Sequence, residues 1–85
     1  MICVYLLKSL KDGKQYIGST LTLNRRLQQH NAGTVTSTKY RRPLMLVGYQ
    51  PCVTLEEAAR LEKEYKRSHD ALHRAMQSGK FVLLQ

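Results

Sequence analysis

The chain opens with a run of six apolar or aromatic residues, 2–7, which is followed at once by charge and a turn. A run of this length, rich in β-forming residues, predicts a strand covered on both faces and placed near the centre of a sheet. Asp12-Gly13 is a turn signal, and residues 15–20 resume strand character. The segment therefore predicts a β-hairpin.

After residue 20 the pattern changes to the period of a helix. Leu23, Leu27 and His30 fall at i, i+4 and i+7, a preceding threonine can cap the start, and residues 31–33 supply a stop. These features predict an amphipathic helix of modest length. The polar stretch 34–43 follows neither period, so we expect a surface loop there.

The second half of the chain predicts one more strand and a helical region. Residues 44–49 form a short apolar run between two prolines, and Thr54 opens a capping-box pattern for a helix that reaches Arg67 or beyond. The apolar spacing permits one long helix or two joined near Ser68, and residues 80–85 fit a short strand or a packed tail. The predicted fold is α+β, with an antiparallel sheet of about three strands flanked by helices.

Composition and charge narrow the class of protein. A chain of 85 residues with 42% hydrophobic residues has room for one folded domain, which we expect to be residues 1–85. Its formal net charge of +8 attracts polyanions, although charge alone fits a merely basic protein equally well. Cys3 and Cys52 form no metal-ligand pattern and are read as buried small hydrophobes.

The chain carries no signal for a membrane. No apolar run approaches the ~20 residues that span a bilayer, and the start lacks the basic and long apolar regions of a signal peptide. No segment combines an apolar helical face with a wholly basic one. We therefore expect a cytoplasmic protein without a membrane partner.

Several short motifs occur together in a fixed order, and as a set they resemble the GIY-YIG nuclease family. The residues that carry the resemblance are Cys3-Val4-Tyr5, Tyr16-Ile17-Gly18, Arg26, His30 and Glu62. The family includes homing endonucleases, some restriction enzymes, the nuclease domain of the bacterial excision-repair endonuclease, and many small stand-alone proteins, which this chain resembles most. The first motif departs from Gly-Ile-Tyr, and no Asn follows Glu62.

The resemblance implies a divalent-metal-dependent endonuclease that hydrolyses phosphodiester bonds in DNA, with branched, damaged or single-stranded forms as candidate substrates. It implies that Glu62 binds Mg2+ or Mn2+ and that Tyr5 helps to activate the attacking water, with His30 or Tyr16 as its hydrogen-bond or proton partner. It also implies that Arg26 holds the charge that develops on the phosphate, which suits its permanently charged fork.

Each of these residues also has an ordinary explanation. Tyr5 and Tyr16 fit a half-buried strand face, His30 fits a helix end near the negative pole of the helix dipole, and Glu62 with Lys66 makes a surface i, i+4 pair. The ordered set favours the nuclease. Two other readings stay open: a nucleic-acid-binding module with weak or no activity, and a protein-interaction domain that meets an acidic partner.

The predicted hairpin does not by itself bring the two tyrosines together. A tight turn centred on Asp12-Gly13 places Ser9 opposite Tyr16 and leaves Tyr5 about four residues, or roughly 13 Å, from Tyr16 on the same face. Their convergence requires a shifted turn or a bulge.

A second group of residues is predicted to contact nucleic acid. We expect Gly18 to let the backbone approach the helix or substrate, Ser19 to donate to a phosphate, and Tyr40 to stack on a base. Basic residues that can follow the backbone are Lys39, Arg41, Arg42 and Lys66. So small a surface reads few bases, so specificity is expected from substrate shape or a protein partner, and the oligomeric state is left open.

Overall fold

The computed structural model describes residues 1–84. Its elements in chain order are β1 (Cys3–Ser9), β2 (Gln15–Thr20), α1 (Leu23–Ala32), β3 (Leu44–Pro51), α2 (Leu55–Arg67), α3 (His69–Gln77) and β4 (Val82–Leu83). The predicted α+β fold is confirmed. The described sheet is antiparallel and has four strands, in the order β2-β1-β3-β4, where about three were expected. The additional strand β4 lies in the segment 80–85, whose last residue, Gln85, lies outside the described residues.

Strand β1 lies inside the sheet, as its unbroken apolar run predicts, and its side chains alternate between two cores. Val4 and Leu6 are fully buried against α2 and α3. Tyr5 and Leu7 are buried on the opposite face, which α1 covers. Because both faces are covered, the strand needs no polar alternation.

The register of the hairpin differs from the predicted one. Leu7, not Ser9, pairs with Tyr16, and Tyr5 pairs with Gly18. Tyr5 and Tyr16 are therefore two residues apart along the sheet rather than four, and they lie on the same face. The shifted turn that their convergence requires is present.

The reason is a turn of five residues, 10–14, in place of a two-residue turn. The Ser9 hydroxyl accepts hydrogen bonds from the N–H groups of Lys11 and Asp12, at 3.2 and 3.1 Å, and Asp12 accepts one from the N–H of Lys14 at 2.8 Å. Gly13 supplies the positive φ of 73°. Side-chain acceptors thus satisfy the donors of a longer turn, which the Asp-Gly signal alone does not indicate.

The helix limits follow local signals. Helix α1 ends at a left-handed Gly33, as predicted. Ser68 has an extended backbone and its hydroxyl accepts from the N–H of Ala71 at 3.2 Å, so the helical region is two helices rather than one. Thr54 accepts from the N–H of Glu57 at 3.1 Å, as in a capping box, whereas the Glu57 carboxylate accepts from Val53 rather than Thr54.

The segment 34–43 is only partly the surface loop that was predicted. Val35 and Thr38 are buried, because the segment folds back against the end of α1 and the sheet. The N–H of Thr38 donates to the carbonyl of Val35 at 3.1 Å, and the carbonyl of Thr38 accepts from Arg41 at 2.9 Å. Two consecutive turns therefore hold this segment in place.

The two cysteines are not joined to each other. Both cysteines are free thiols; Cys3 is fully buried and Cys52 half-buried. Burial raises the pKa of Cys3 to about 11, so this thiol is protonated and inert at neutral pH.

Within residues 1–84, every helix falls short of the length and apolar character that crossing a bilayer requires.

Gly48 marks the place where β4 and the residue before it pack on β3. A Cβ at this position would lie 2.5 Å from the carbonyl oxygen of Val82 and 2.9 Å from the ring of Phe81. We expect Gly48→Ala to lower the free energy of unfolding by about 2 kcal/mol, measured by urea denaturation, because backbone and a buried ring must both shift.

The control is Met45→Ala, at an exposed position of the same strand, for which we expect little change. Amide exchange of Leu84, whose N–H donates to Val47 at 2.8 Å, should speed up in Gly48→Ala only. Equal stability of the two variants would contradict the close packing of β4 on β3.

Candidate active site

The five residues predicted to be catalytic come from four elements and meet at the β2 side of the sheet. They are Tyr5 on β1, Tyr16 on β2, Arg26 and His30 on α1, and Glu62 on α2. The sheet lies between α1 and α2, so the site is formed around the edge of the sheet rather than in a deep pocket. The structure brings these residues together, while their catalytic roles stay predictions.

Tyr5 is the centre of the group on the α1 side. Its hydroxyl lies 2.8 Å from His30 Nε2 and accepts a hydrogen bond from Arg26 Nε at 3.4 Å. Arg26 also donates to the Gln29 side chain at 3.3 Å, which holds its guanidinium beside the phenol. Burial raises the pKa of Tyr5, and the hydrogen bond from Arg26 opposes that rise.

Three aromatic rings form one cluster in this place. The ring centroids lie 6.4 Å apart for Tyr5 and Tyr16, 5.6 Å for Tyr5 and His30, and 5.2 Å for Tyr16 and His30. Gly18 makes the arrangement possible, since a Cβ there would lie 2.5 Å from Cζ of Tyr5. The close approach expected at Gly18 therefore involves the Tyr5 ring rather than the helix or a substrate.

His30 is fully buried and points into the molecule rather than toward the helix end. Its Nδ1 lies 2.7 Å from the hydroxyl of Thr38, a residue that the sequence analysis did not select. Burial, followed by the charge of Arg26, lowers the pKa of His30 to about 4. The imidazole is therefore neutral at pH 7, and a helix-dipole role for a charged His30 does not apply.

Glu62 reaches the site from the other face of the sheet. Its Oε1 accepts a hydrogen bond of 2.5 Å from the Ser19 hydroxyl, and its Oε2 accepts one of 2.7 Å from Lys66 Nζ. Lys66 Nζ also lies 5.7 Å from the ring centroid of Tyr16. The i, i+4 pair is thus present, and Ser19 directs its hydroxyl to Glu62.

A shallow groove of about 350 Å³ continues from the site across the start of α1. Its polar lining includes Ser19, Thr20, Thr22, Arg25, Arg26 and Gln29. Arg25 and Gln29 were not selected from the sequence, since an Arg beside Arg26 and a Gln one turn away carry no distinguishing pattern. The groove is lined by two guanidinium groups, of which that of Arg26 contacts the Tyr5 hydroxyl.

A larger cavity, of about 570 Å³, lies elsewhere, between α2, α3 and β3. Its lining includes Gln50, Arg60, Glu64, Tyr65 and Arg74, which bring charges of both signs. None of the predicted catalytic residues lines it. The smaller groove adjoins the titratable cluster and is therefore the better candidate for the site.

The basic segment predicted to follow nucleic acid is attached to the hairpin turn. Arg41 forms an ion pair with Asp12 at 3.0 Å, and Lys11 Nζ donates to the carbonyl of Tyr40 at 3.2 Å. Ser9 also donates to the carbonyl of Arg41 at 2.6 Å. Arg41 therefore holds the segment in place, and its charge is already partly neutralised.

The other residues of the segment are more available. Tyr40 is 74% exposed, and Lys39 Nζ lies 4.9 Å from the centroid of its ring. Arg42 is exposed and donates to the carbonyl of Lys39 at 2.8 Å. Closer to the site, Ser37 donates to the Tyr16 hydroxyl at 3.4 Å. The segment thus presents charge to solvent and contacts the tyrosine cluster.

The neutral, buried His30 predicts a specific loss of stability in acid. Its pKa is about 4 in the folded protein against 6.5 for the free side chain, so the unfolded chain binds the proton first as pH falls. This contribution, about 3 kcal/mol, is fully present above about pH 6.5 and is lost as pH falls toward 4. Urea unfolding at a series of pH values measures it.

Other groups titrate in the same range, so the comparison is between variants. His30→Gln should lose this part of the pH dependence, and His73→Gln, at an exposed position, is the matched control for replacing a histidine. An unchanged pH dependence in His30→Gln would show that His30 titrates normally in the folded protein.

Comparison with known proteins gives a consistent result. The family model described as the GIY-YIG catalytic domain matches residues 1–76. A UPF0213 protein of Staphylococcus haemolyticus is 41% identical over 64 residues, which cover 74% of this chain and 77% of that protein. A UPF0213 protein of Streptococcus pneumoniae is 40% identical over 58 residues, which cover 67% of this chain and only 59% of its own length. No solved structure matches the chain significantly.

Proposed function

Since the chain belongs to the GIY-YIG catalytic domain family, a family of nucleases, we propose that it is a divalent-metal-dependent endonuclease that hydrolyses phosphodiester bonds in DNA. The observation that carries the proposal is the convergence of the predicted catalytic set. Tyr5 lies within hydrogen-bond distance of both His30 and Arg26, and its ring adjoins Tyr16. The proposal takes residues 1–85 as one nuclease domain, and a cytoplasmic location stays a prediction.

In this proposal the residues of the α1 side handle the attacking water and the phosphate. Tyr5 helps to activate the water, with His30 and Tyr16 beside it. The guanidinium of Arg26, which already donates to Tyr5, stabilises the charge that builds up on the phosphate oxygens. Arg25 extends this positive surface along the groove and helps to hold the strand that is cut.

Glu62 is the residue that would hold Mg2+ or Mn2+. Such ions bind through one or two carboxylates and otherwise through water and substrate phosphate, so a single Glu fits the requirement. Within residues 1–84 no group of three or more His, Cys, Asp or Glu side chains is placed to hold a metal by itself. When bound, the ion would supply positive charge to the scissile phosphate and the leaving oxygen.

The contacts of Glu62 are compatible with that role. Ser19 fixes one carboxylate oxygen, and the other bonds to Lys66, whose side chain is 49% exposed and free to turn toward solvent. Ser19 then keeps the carboxylate oriented, while Lys66 becomes available to a phosphate. Lys66 keeps its predicted place as a nucleic-acid contact under this proposal.

The distribution of charge supports a nucleic-acid partner, for which we propose DNA, and supports the surface around the site as the place where it binds. Residues 1–54 contain eight Lys and Arg against one Asp, whereas residues 55–84 contain six against five Asp and Glu. The excess charge therefore belongs to the hairpin, α1 and the segment 34–43, which surround the site. Lys39, Arg41 and Arg42 remain the proposed backbone contacts, with Tyr40 as a stacking surface.

The substrate proposal stays broad. Branched, damaged or single-stranded DNA offers unpaired bases that an exposed Tyr40 can stack on. The groove beside the site is shallow, so reading of base edges is limited and a protein partner is a second source of specificity.

One observation favours a rival, a nucleic-acid-binding module with weak or no activity. Both oxygens of the Glu62 carboxylate already accept hydrogen bonds, from Ser19 and Lys66. Under this reading Glu62 is an ordinary ion-pair residue. Metal-dependent cutting separates the two functions.

The first test is cleavage of labelled single-stranded, duplex, flapped and branched DNAs in Mg2+ or Mn2+. We expect wild type to cut at least one substrate, and Glu62→Ala and Arg26→Ala to lower the rate by about 100-fold or more, because each removes charge stabilisation of several kcal/mol. Glu64→Gln is the matched control, since this carboxylate lies on the same helix but lines the other cavity.

Retained binding should accompany the loss of cutting in Glu62→Ala. Binding without cleavage by wild type on every substrate would favour the rival module. Equal loss of activity in Glu64→Gln would indicate general damage to α2 rather than a role of Glu62 in the site.

The second test concerns the basic segment. Because Arg41 pairs with Asp12, we expect Lys39→Ala with Arg42→Ala to reduce DNA binding without unfolding the segment. The slope of log K against log salt should become smaller by about 1 to 2, as each lost phosphate contact removes about 0.9. Fluorescence anisotropy at several salt concentrations measures it.

The matched control removes the same charge from the other side of the molecule. Arg74→Ala with Lys80→Ala, in the cavity between α2 and α3, should leave the slope nearly unchanged. Equal effects of the two pairs would show that only net charge matters and would remove the basic segment from the proposed DNA surface.

A further inference from the structure

The shallow groove beside the site contains two leucines in addition to its polar residues. Leu21 lies in the connection between β2 and α1, Leu55 is the first residue of α2, and both line the groove. Leu21 is 53% exposed and Leu55 is 44% exposed. Single exposed leucines are ordinary on a protein surface, but these two come from different elements and line the same groove. A ligand that lies in the groove would therefore contact both.

The polar side of the groove belongs to the candidate site itself. Ser19 lines the groove and donates to Glu62 at 2.5 Å, and Arg26 lines it and donates to Tyr5 at 3.4 Å. Arg25 adds a second guanidinium, and its side chain is exposed. The groove thus offers positive charge for an anion and, next to it, apolar surface for an uncharged group.

This combination of surfaces matches one nucleotide of a nucleic-acid strand. The phosphate of a nucleotide is an anion that guanidinium groups bind, and the faces of its base are flat rings against which aliphatic side chains can pack. Inside a paired duplex the neighbouring bases cover those faces, so that a shallow groove reaches only phosphates, sugars and base edges. An unpaired base, in contrast, can turn a face toward Leu21 and Leu55.

We propose that Leu21 and Leu55 form a base-contact site that selects DNA with an unpaired nucleotide next to the scissile phosphate. The inference rests on the proposed nuclease function for the position of that phosphate, and it narrows the substrate to DNA that is locally unpaired where it is cut. Leucine contacts a base through apolar burial alone, so the site does not distinguish one base from another. Selection then follows the shape of the DNA rather than its sequence.

Binding in metal-free buffer tests the site without any cutting. The two probes are labelled duplexes of equal length and charge, one fully paired and one with three adjacent mismatched pairs in its centre. We expect wild type to bind the mismatched duplex about 10-fold more tightly. Leu21→Ser with Leu55→Ser should bring the ratio of the two affinities to within about twofold of 1, because the apolar contact is lost while every charge is kept. Fluorescence anisotropy at one fixed salt concentration measures both affinities.

Two further pairs of substitutions serve as controls. Met45→Ser with Val53→Ser removes apolar residues that are 47% and 84% exposed but lie outside the groove, and it should keep the wild-type ratio. Leu21→Met with Leu55→Met keeps the apolar surface and should keep most of the ratio. No preference in wild type, or an equal loss in the Met45 and Val53 pair, would overturn the proposal.

A measurement on wild type alone covers the case in which the serine pair fails to fold, which circular dichroism detects. With 2-aminopurine as a mismatched base, its emission should rise when the protein binds, because a base that leaves its neighbours for Leu21 and Leu55 loses the stacking that quenches it. The same base in the fully paired duplex should stay quenched. Unchanged emission in the mismatched duplex would overturn the proposal.

Cleavage separates a failure of this inference from a failure of the proposed function. With Mg2+ or Mn2+, the ratio of cutting rates on mismatched and paired duplexes should fall about 10-fold in the serine pair. Absence of cutting by wild type, with the binding preference intact, removes the nuclease function and leaves the base-contact site. Cutting of both duplexes without any preference removes the base-contact site and leaves the nuclease function.

Discussion

The hydrogen bond between the Tyr5 hydroxyl and His30 Nε2 joins a central strand to the first helix inside the protein, and the placement of its neighbours depends on it. Tyr5 can reach His30 only because its ring passes over Gly18, where any side chain would collide. His30 in turn is buried, and its second nitrogen lies within hydrogen-bond distance of the Thr38 hydroxyl. Buried polar groups of this kind must all be satisfied together, so the strand, helix and loop are fixed relative to one another.

The same constraint sets the electrostatics of the site. A neutral His30 stands beside a permanently charged Arg26, and the charge of Arg26 contributes to the low pKa of His30. On the opposite face, Glu62 and Lys66 form a pair of opposite sign near Tyr16. The site therefore has a cationic part next to Tyr5, which can face a phosphate, and a carboxylate across the sheet edge, which in the proposed function would hold a divalent cation.

The segment 34–43 links this site to the basic surface. It was expected to be an exposed loop, and it does expose Tyr40 and Arg42. It also inserts Thr38 beside His30 and is tied to the hairpin turn through Arg41 and Asp12. A segment that both closes the core and faces solvent shows neither helix nor strand periodicity, which is why its buried half could not be predicted from the pattern of residues.

The sequence by itself determined the features that depend on neighbouring residues. The unbroken run of β1, the stop of α1 at Gly33 and the capping by Thr54 are local, because periodicity and end signals act within a few residues. The order of the motifs also selected Tyr5, Tyr16, Arg26, His30 and Glu62 as one set. Tertiary structure decided the rest: the five-residue turn that sets the register of the tyrosines, the contact of Thr38 with His30, and the bond from Ser19 to Glu62. The bond from Ser19 to Glu62 joins residues far apart in the chain, and the bond from Thr38 to His30 joins a segment without periodicity to a helix, so no local pattern encodes either contact. The turn is held by local bonds of Ser9 and Asp12, but an Asp-Gly signal also fits a shorter turn, and the longer one is the turn that places the Tyr5 ring over Gly18.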